Sequence, residues 1–271
     1  MDGMPLLTPT RQALAVARWR GHYAAAEDVV AEETPIGLEY NGVPHVVMLA
    51  TPADLEDFAI GFSLTEGIVE KREDITAIAL EEYSAGIRVQ ITIPEHCVAR
   101  LEQKRQNLAG RTGCGLCGTE RLAQVFRPMA DVTTHHTLSI PALEAALEDL
   151  PRHQSLQQST GATHAAFWLD AAGHIVLARE DVGRHNALDK LFGALARAHF
   201  DPTRGSVLIT SRASYEMVQK TIQRGVGILV AISAPTALAV RMAEQFNLTL
   251  AGFARNGRHV AYAHPERLTE R

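Results

Sequence analysis

The most reactive side chains in the sequence are two cysteines set among four glycines. Cys114 and Cys117 form a C-x-x-C pair inside the segment Gly110–Gly118. A thiolate is both a nucleophile and a soft metal ligand, so this spacing indicates sulfur, redox or metal chemistry. The third cysteine, Cys97, falls singly in a helical pattern, and we interpret it as a packing residue.

Several kinds of site use such a pair, and the surrounding residues favour one of them. Structural zinc needs four ligands, and the sequence has no second C-x-x-C pair. A thioredoxin-like redox pair follows a strand, whereas the residues before Gly110 are polar and helical. Nucleoside deaminases carry H-x-E, but His164 is followed by two alanines. A sulfur carrier, in which one thiolate takes a sulfur atom as a persulfide and passes it on, needs only an accessible thiol.

A second group of reactive residues is predicted at one edge of a sheet in the second half of the chain. Strand and helix patterns alternate there, as is typical of parallel strands joined by crossover helices. Ligands bind beyond the carboxyl ends of such strands, and we call this edge the rim. The predicted rim residues are Asp181, Arg184, Ser211, Arg212, Phe253, Ala254, Arg255, Asn256, Gly257 and Arg258. Because helix N-termini and arginines suit phosphate, we expect a phosphorylated or nucleotide-like ligand.

The elements around these residues divide into two halves. Residues 1–133 are expected to form a small N-terminal α+β domain that ends in the Cys-x-x-Cys loop. Residues 134–271 are expected to form an α/β layered sheet, so the fold class is α/β, or α+β overall. The first twenty residues are predicted to be a loosely attached arm. Thr51 is the predicted N-cap of a helix that follows a hairpin with its turn at Asn41-Gly42.

The composition describes an ordinary globular protein. The chain has 271 residues, of which 46% are hydrophobic and 21% are charged. A formal net charge of −5 argues against a nucleic-acid partner. The longest apolar run, Val226–Ala234, has about half the length of a membrane span, and we expect no targeting segment and no membrane. With three cysteines, the chain is expected to be a cytoplasmic enzyme or accessory protein.

Several separated motifs resemble those of the formate dehydrogenase accessory sulfurtransferase family, often called FdhD. They are Gly110–Gly118, Thr163–Ala166, Glu180–Ala187, Ser211-Arg212, Ala234–Thr236 and Gly252–Arg255. Their order along nearly the whole chain makes the resemblance far more specific than the C-x-x-C pair alone.

The resemblance implies a persulfide-forming sulfurtransferase. Such proteins take sulfur from a cysteine desulfurase and transfer it to the molybdenum cofactor, bis(molybdopterin guanine dinucleotide), for the catalytic subunit of formate dehydrogenase. It implies that Cys114 carries the persulfide, that Cys117 assists, and that Phe253–Arg258 bind the cofactor. It also implies a cytidine-deaminase-like second domain and a homodimer. The molybdenum cofactor is then a bound substrate, and we expect no tightly held metal of the protein's own.

Two alternatives stay open. A chaperone that binds the cofactor without covalent chemistry needs the rim but not the thiols, and a zinc-binding structural module uses the thiols only as ligands.

Within the rim, we expect Asp181 to accept a hydrogen bond from the guanine edge and Phe253 to stack on the ring.

Overall fold

A computed structural model describes residues 8–106 and 129–270. The strands are β1 (Arg11–Trp19), β2 (Tyr23–Ala31), β3 (Thr34–Tyr40), β4 (Val43–Ala50), β5 (Ala77–Tyr83), β6 (Gly86–Thr92), β7 (Leu138–Ser139), β8 (His164–Leu169), β9 (Ile175–Asp181), β10 (Ser206–Ile209), β11 (Ile228–Ala231), β12 (Thr249–Arg255), β13 (Arg258–Ala263) and β14 (Leu268–Thr269). The helices are α1 (Leu55–Thr65), α2 (Glu95–Gln106), α3 (Ile140–Asp149), α4 (Ser155–Thr160), α5 (Arg184–Arg197), α6 (Tyr215–Gln223) and α7 (Ala237–Gln245).

The predicted arm contains a regular element: β1 and β2 form an antiparallel hairpin that is a separate two-stranded sheet with mostly exposed residues. The pairing runs without a break from Arg11 opposite Ala31 to Trp19 opposite Tyr23. The rings of Trp19 and Tyr23 meet edge to face at 5.0 Å beside the turn. Alanine is depleted in strands, and the many alanines of this segment hide its strand character from pattern reasoning.

The first core lies between a four-stranded sheet and α1. The sheet order is β4-β3-β6-β5, with β3 parallel to β6 and antiparallel to β4. Every second residue of β3 (Ile36, Leu38 and Tyr40) is fully buried, as period-two alternation demands. The predicted turn at Asn41-Gly42 is confirmed. The predicted cap is wrong: α1 begins at Leu55 after Asp54, and Thr51 instead lies buried against the second half of the chain.

The second sheet has six strands in the order β13-β12-β11-β10-β8-β9. Strands β10, β11 and β12 are parallel, as predicted, while β8 runs antiparallel to both of its neighbours. The four residues of β10 and of β11 are all buried, since apolar layers cover both faces of the sheet. Val132, just before the predicted boundary, packs in one of these layers. The predicted mixed α+β class is confirmed.

Helices α1 and α5 join the two halves at unusually close range. A Cβ atom on Gly61 would lie 1.7 Å from the carbonyl oxygen of Asp189, and one on Gly193 would lie 1.8 Å from that of Asp57. Only glycine fits at either position, because the obstructing atoms are backbone. Buried charges flank the contact: Lys220 Nζ lies 2.9 Å from Asp189 Oδ2, and Arg179 binds Asp57 at 2.7 Å.

Replacing Gly61 with alanine is expected to destabilise the protein by about 1–3 kcal/mol, the usual cost of overpacking. In a helix interior, replacing glycine with alanine normally stabilises a protein by roughly 1 kcal/mol. The expected change in stability therefore has the opposite sign to the one that helix propensity alone would give. Urea denaturation measures the change. Gly37→Ala is the matched control because its nearest obstructing atom is 4.0 Å away. Equal stability of the two variants would contradict the close contact.

Among the helices in the described ranges, none is both long enough and apolar enough to cross a membrane.

Candidate functional site

The rim is assembled by strands that all end at one edge of the six-stranded sheet. Strands β9, β10, β11 and β12 run in the same direction, and β8 begins where they end, with His164 opposite Asp181. The connection after β11 also approaches β12 closely: a Cβ on Gly252 would lie 2.8 Å from the Pro235 ring. The loops that follow these strands therefore face one another across a single edge.

One end of the rim carries a cluster of basic and hydroxyl side chains. We call His164, Arg184, His185, Arg212 and Ser214 the anion cluster. Helices α5 and α6 both begin here, and neither has a side-chain cap on its first N–H groups. By contrast, Thr236 caps α7 through the Ala239 N–H. Free N–H groups at a helix start favour an anion, and two such starts meet in this cluster.

Three polar atoms of the anion cluster are buried without a hydrogen-bond partner among the described residues. They are Nε of Arg184, Nε2 of His185 and Oγ of Ser214. Such atoms are rare in folded proteins and commonly mark the place of a water or a ligand. The Nε2 atom of His185 lies 2.7 Å from Oε2 of Glu216, a distance typical of an ion pair but without the geometry of a hydrogen bond.

The electrostatics of the cluster also suit an anion. Burial, and after it the charges of Arg184, His185 and Arg212, hold the pKa of His164 below its usual value. Because the ordinary pKa of histidine is already below 7, this imidazole is largely neutral near pH 7. An anion placed here would offset the surrounding positive charges and favour the protonated form of His164.

The other end of the rim is the turn between β12 and β13. The two strands slip register between Gly252 and Arg255, and Phe253 takes a φ of 52° that non-glycine residues seldom adopt. Its N–H donates to the carbonyl of Ser233, while its side chain stays 41% exposed. Strained backbone of this kind is concentrated at binding sites. Here the bulge turns an aromatic ring outward beside the rim.

An open pocket lies beside the same turn. The pocket has a volume of about 550 Å³ and is lined by Phe253, Arg255, Asn256, Arg258, His259 and Val260. Arg212 and Ser214 follow β10, and one strand separates β10 from β12, so this nearer part of the anion cluster and the pocket follow strands about 10 Å apart. An aromatic face and arginine donors at one end, with phosphate-type donors at the other, suit a nucleotide-like ligand.

Several rim predictions need revision. Asp181 is fully buried, and its carboxylate binds Lys190 Nζ at 2.6 Å and the Thr51 N–H at 3.0 Å. It has no free oxygen to offer a guanine edge, so that predicted role is corrected. Ala254 is fully buried and can meet a ligand only through its backbone. The hydroxyl of Ser211 is turned to the carbonyl of Arg212.

The remaining rim residues are placed where a ligand can reach them. The side chain of Arg212 is exposed, Arg184 belongs to the anion cluster, and Phe253, Arg255, Asn256 and Arg258 line the turn pocket. The predicted rim residues do not include His164, His185 and Ser214. Their positions in the sequence could have indicated them, because all three lie at the starts of the elements that form the rim.

The predicted catalytic residues Cys114 and Cys117 lie outside the described residues. Helix α2 ends at Gln106, and the description resumes at Met129. Cys97, in contrast, is buried in the first core, as its prediction as a packing residue requires.

The fold and the rim define a class: a mixed α+β protein with a cluster of basic and hydroxyl side chains at one edge of its second sheet. Comparison with known proteins gives the family. The model of the FdhD/NarQ family matches residues 31–269, and the chain belongs to this family.

Curated relatives align along nearly their whole length. A protein from Cupriavidus necator is 58% identical over 261 residues, which cover 96% of this chain and 91% of the relative. A protein from Bordetella petrii is 54% identical over 257 residues, covering 94% and 92%. Both are named "Sulfur carrier protein FdhD". A crystal structure assigned as a formate dehydrogenase accessory protein from Desulfotalea psychrophila aligns with a TM-score of 0.74. It covers 96% of this chain and 100% of its own, and at 23% identity it supports the fold alone.

Proposed function

We propose that this protein is a sulfur carrier for formate dehydrogenase that acts in the cytoplasm as a persulfide-forming sulfurtransferase. In this proposal the Cys114 thiolate attacks the terminal sulfur of a persulfide on a cysteine desulfurase. A new S–S bond forms on Cys114, and the thiolate of the donor leaves. The thiolate of Cys117 then attacks Sγ of Cys114, the S–S bond of the persulfide breaks, and the outer sulfur leaves as hydrosulfide to the molybdenum cofactor in its bis(molybdopterin guanine dinucleotide) form, which is bound as a substrate. A Cys114–Cys117 disulfide remains, and a thiol reductant reopens it. Cys117 assists the transfer, the dehydrogenase catalytic subunit receives the cofactor, and the carrier is a homodimer.

The observation that carries the proposal is the anion cluster. A cofactor with guanine and pyrophosphate groups needs hydrogen-bond donors for its phosphate oxygens and an aromatic ring on which the guanine can stack. The rim offers both kinds of group. The uncapped starts of α5 and α6, together with Arg184, supply fixed donors for phosphate oxygens. Phe253 supplies an exposed ring on which guanine can stack. The names of the curated relatives support the sulfur-carrying part of the proposal.

The rim predicts a measurable nucleotide affinity. We expect GDP to bind as a fragment of the cofactor, and we expect Arg212→Ala and Arg258→Ala each to weaken binding by about tenfold. A hydrogen bond to a charged group is worth roughly 1.5–3 kcal/mol, and each variant removes one such donor. Isothermal titration calorimetry measures the dissociation constants.

Arg152→Ala is the matched control for these variants. Arg152 is an exposed arginine on the turn after α3; among the described residues it pairs with Asp149, and it is not one of the rim residues. Its removal is expected to leave GDP binding unchanged. If the rim variants bound GDP as tightly as the control, the ligand would not lie at this edge.

The alternative of a cofactor-binding chaperone also uses the rim. It differs from the proposal only in needing no thiol chemistry, so GDP binding cannot separate the two. Sulfur loading of Cys114 separates them, as does activation of the dehydrogenase by a chain without Cys114 and Cys117.

A further inference from the structure

A second group of reactive side chains lies in the first half of the protein. Asp74, at the end of the short 3₁₀ turn Arg72–Asp74, faces His96 and Cys97 in the first turn of α2. One ligand atom from each residue (a carboxylate oxygen, an imidazole nitrogen and the thiol sulfur) lies within 4.8 Å of the other two. Nε2 of His96 is 4.0 Å from Oδ1 of Asp74. Three different kinds of metal ligand therefore converge on one point.

The carboxylate is fixed in position before any ion arrives. Oδ2 of Asp74 accepts hydrogen bonds from the N–H groups of Glu70 and Lys71 at 3.1 and 3.3 Å. These bonds leave Oδ1 directed towards the imidazole. Oriented ligands of this kind are typical of metal centres, where a second partner holds each ligand in place.

The other two ligands close the group from opposite sides. Cys97 is buried in the first core, so its thiol approaches from inside the protein. The His96 side chain is 64% exposed, so its ring approaches from solvent and is free to turn. Ligand atoms around tetrahedral zinc lie about 3.5 Å apart, given bonds of roughly 2.0–2.3 Å. The 4.0 Å between Nε2 of His96 and Oδ1 of Asp74 needs to shorten by about 0.5 Å, which rotation of the exposed imidazole can supply.

The charge balance also fits a cation. The Asp74 carboxylate lies within 4.8 Å of the Cys97 sulfur. A divalent ion between these two groups would offset the repulsion between thiolate and carboxylate. Mixed thiolate, imidazole and carboxylate ligands are the set that zinc takes in proteins.

We propose that Asp74, His96 and Cys97 bind a divalent zinc-class cation, with water as the fourth ligand. On binding, the Cys97 sulfur forms a bond to the ion and its proton passes to solvent. The ion ties the first turn of α2 to the 3₁₀ turn that precedes β5. This site is separate from the rim and from Cys114 and Cys117, and it does not rest on the proposed function. It also differs from the expectation that the protein holds no metal of its own.

Cobalt(II) provides the test, because a cobalt–thiolate bond gives a charge-transfer band in the near ultraviolet. The experiment uses the full chain with Cys114→Ala and Cys117→Ala, which leaves Cys97 as the only thiol. Equimolar Co²⁺ is expected to produce the thiolate band together with the visible bands of a tetrahedral ion. Zinc is expected to displace the cobalt and remove both.

Two further variants in that background define the ligands. Cys97→Ser is expected to abolish the charge-transfer band. His96→Ala changes an exposed side chain and leaves the core intact, and it is expected to weaken cobalt binding at least about tenfold. His174→Ala is the matched control, since His174 is an exposed histidine 3.5 Å from a carboxylate oxygen of Asp170 and is not one of the proposed ligands. The absence of a thiolate band in the folded Cys114→Ala/Cys117→Ala chain, or a His96→Ala affinity equal to that of the control, would overturn the proposal.

Discussion

Replacing Cys114 with alanine is expected to abolish sulfur loading completely. The protein is incubated with a cysteine desulfurase and L-cysteine, and its intact mass is measured. The unchanged chain should gain one sulfur atom, because a thiolate can attack the donor persulfide, and the alanine variant should gain none. GDP binding at the rim should survive the substitution, since none of the rim residues is altered.

Cys117→Ala is the matched control, because it removes the neighbouring thiol of the same motif. We expect this variant to accept sulfur and to transfer it more slowly. If Cys114→Ala still activated formate dehydrogenase, the chaperone alternative would replace the proposal. If neither thiol accepted sulfur and zinc bound to the pair instead, the structural-module alternative would hold.

Replacing Lys190 with methionine is expected to destabilise the protein by about 3–5 kcal/mol. Lys190 and Asp181 are both fully buried, with 2.6 Å between Nζ and Oδ2. Removing one partner of such a pair leaves an uncompensated charge inside the protein. Lys190 also donates to the carbonyl of Thr51, which the variant leaves without this donor. The midpoint and slope of urea denaturation give the loss.

Two comparisons make this prediction specific. The double variant Asp181→Asn/Lys190→Met removes both charges and should be less destabilised than Lys190→Met alone. Arg152→Met breaks an ion pair whose arginine side chain is 84% exposed, and it should change stability by less than about 1 kcal/mol. If Lys190→Met and Arg152→Met lost equal amounts of stability, the buried ion pair would contribute no more to stability than the exposed one.

The general plan of the fold could be predicted from local patterns. Alternating strands, crossover helices and turn residues predicted the hairpins β3–β4 and β8–β9 and the parallel run β10–β12. The β1–β2 hairpin could not be found in this way, because its alanines carry little strand preference. The start of α1 was also missed, because a threonine before proline looks like a cap while Thr51 is used in a contact 130 residues away.

The candidate site, like the fold, could be predicted only in part. Residues at the ends of predicted strands were correctly expected at one edge, since parallel topology alone brings them there. The direction of each side chain was not predictable. In and just after the motif Glu180–Ala187, Asp181, Asp189 and Lys190 all face inward, where they bond Thr51 and Thr65 of the first half. Whether a charged residue serves a ligand or the interior depends on packing against α1 and β4, which no local pattern reports.

The glycine contact between α1 and α5 has a consequence for how the protein unfolds. Because backbone meets backbone at Gly61 and Gly193, neither helix can tilt or slide without separating from the other. The ion pairs that join the halves, Arg179 with Asp57 and Lys220 with Glu66, would also be lost if one half opened alone. We therefore expect the two halves to melt as a single cooperative unit, so that the rim shares the stability of both.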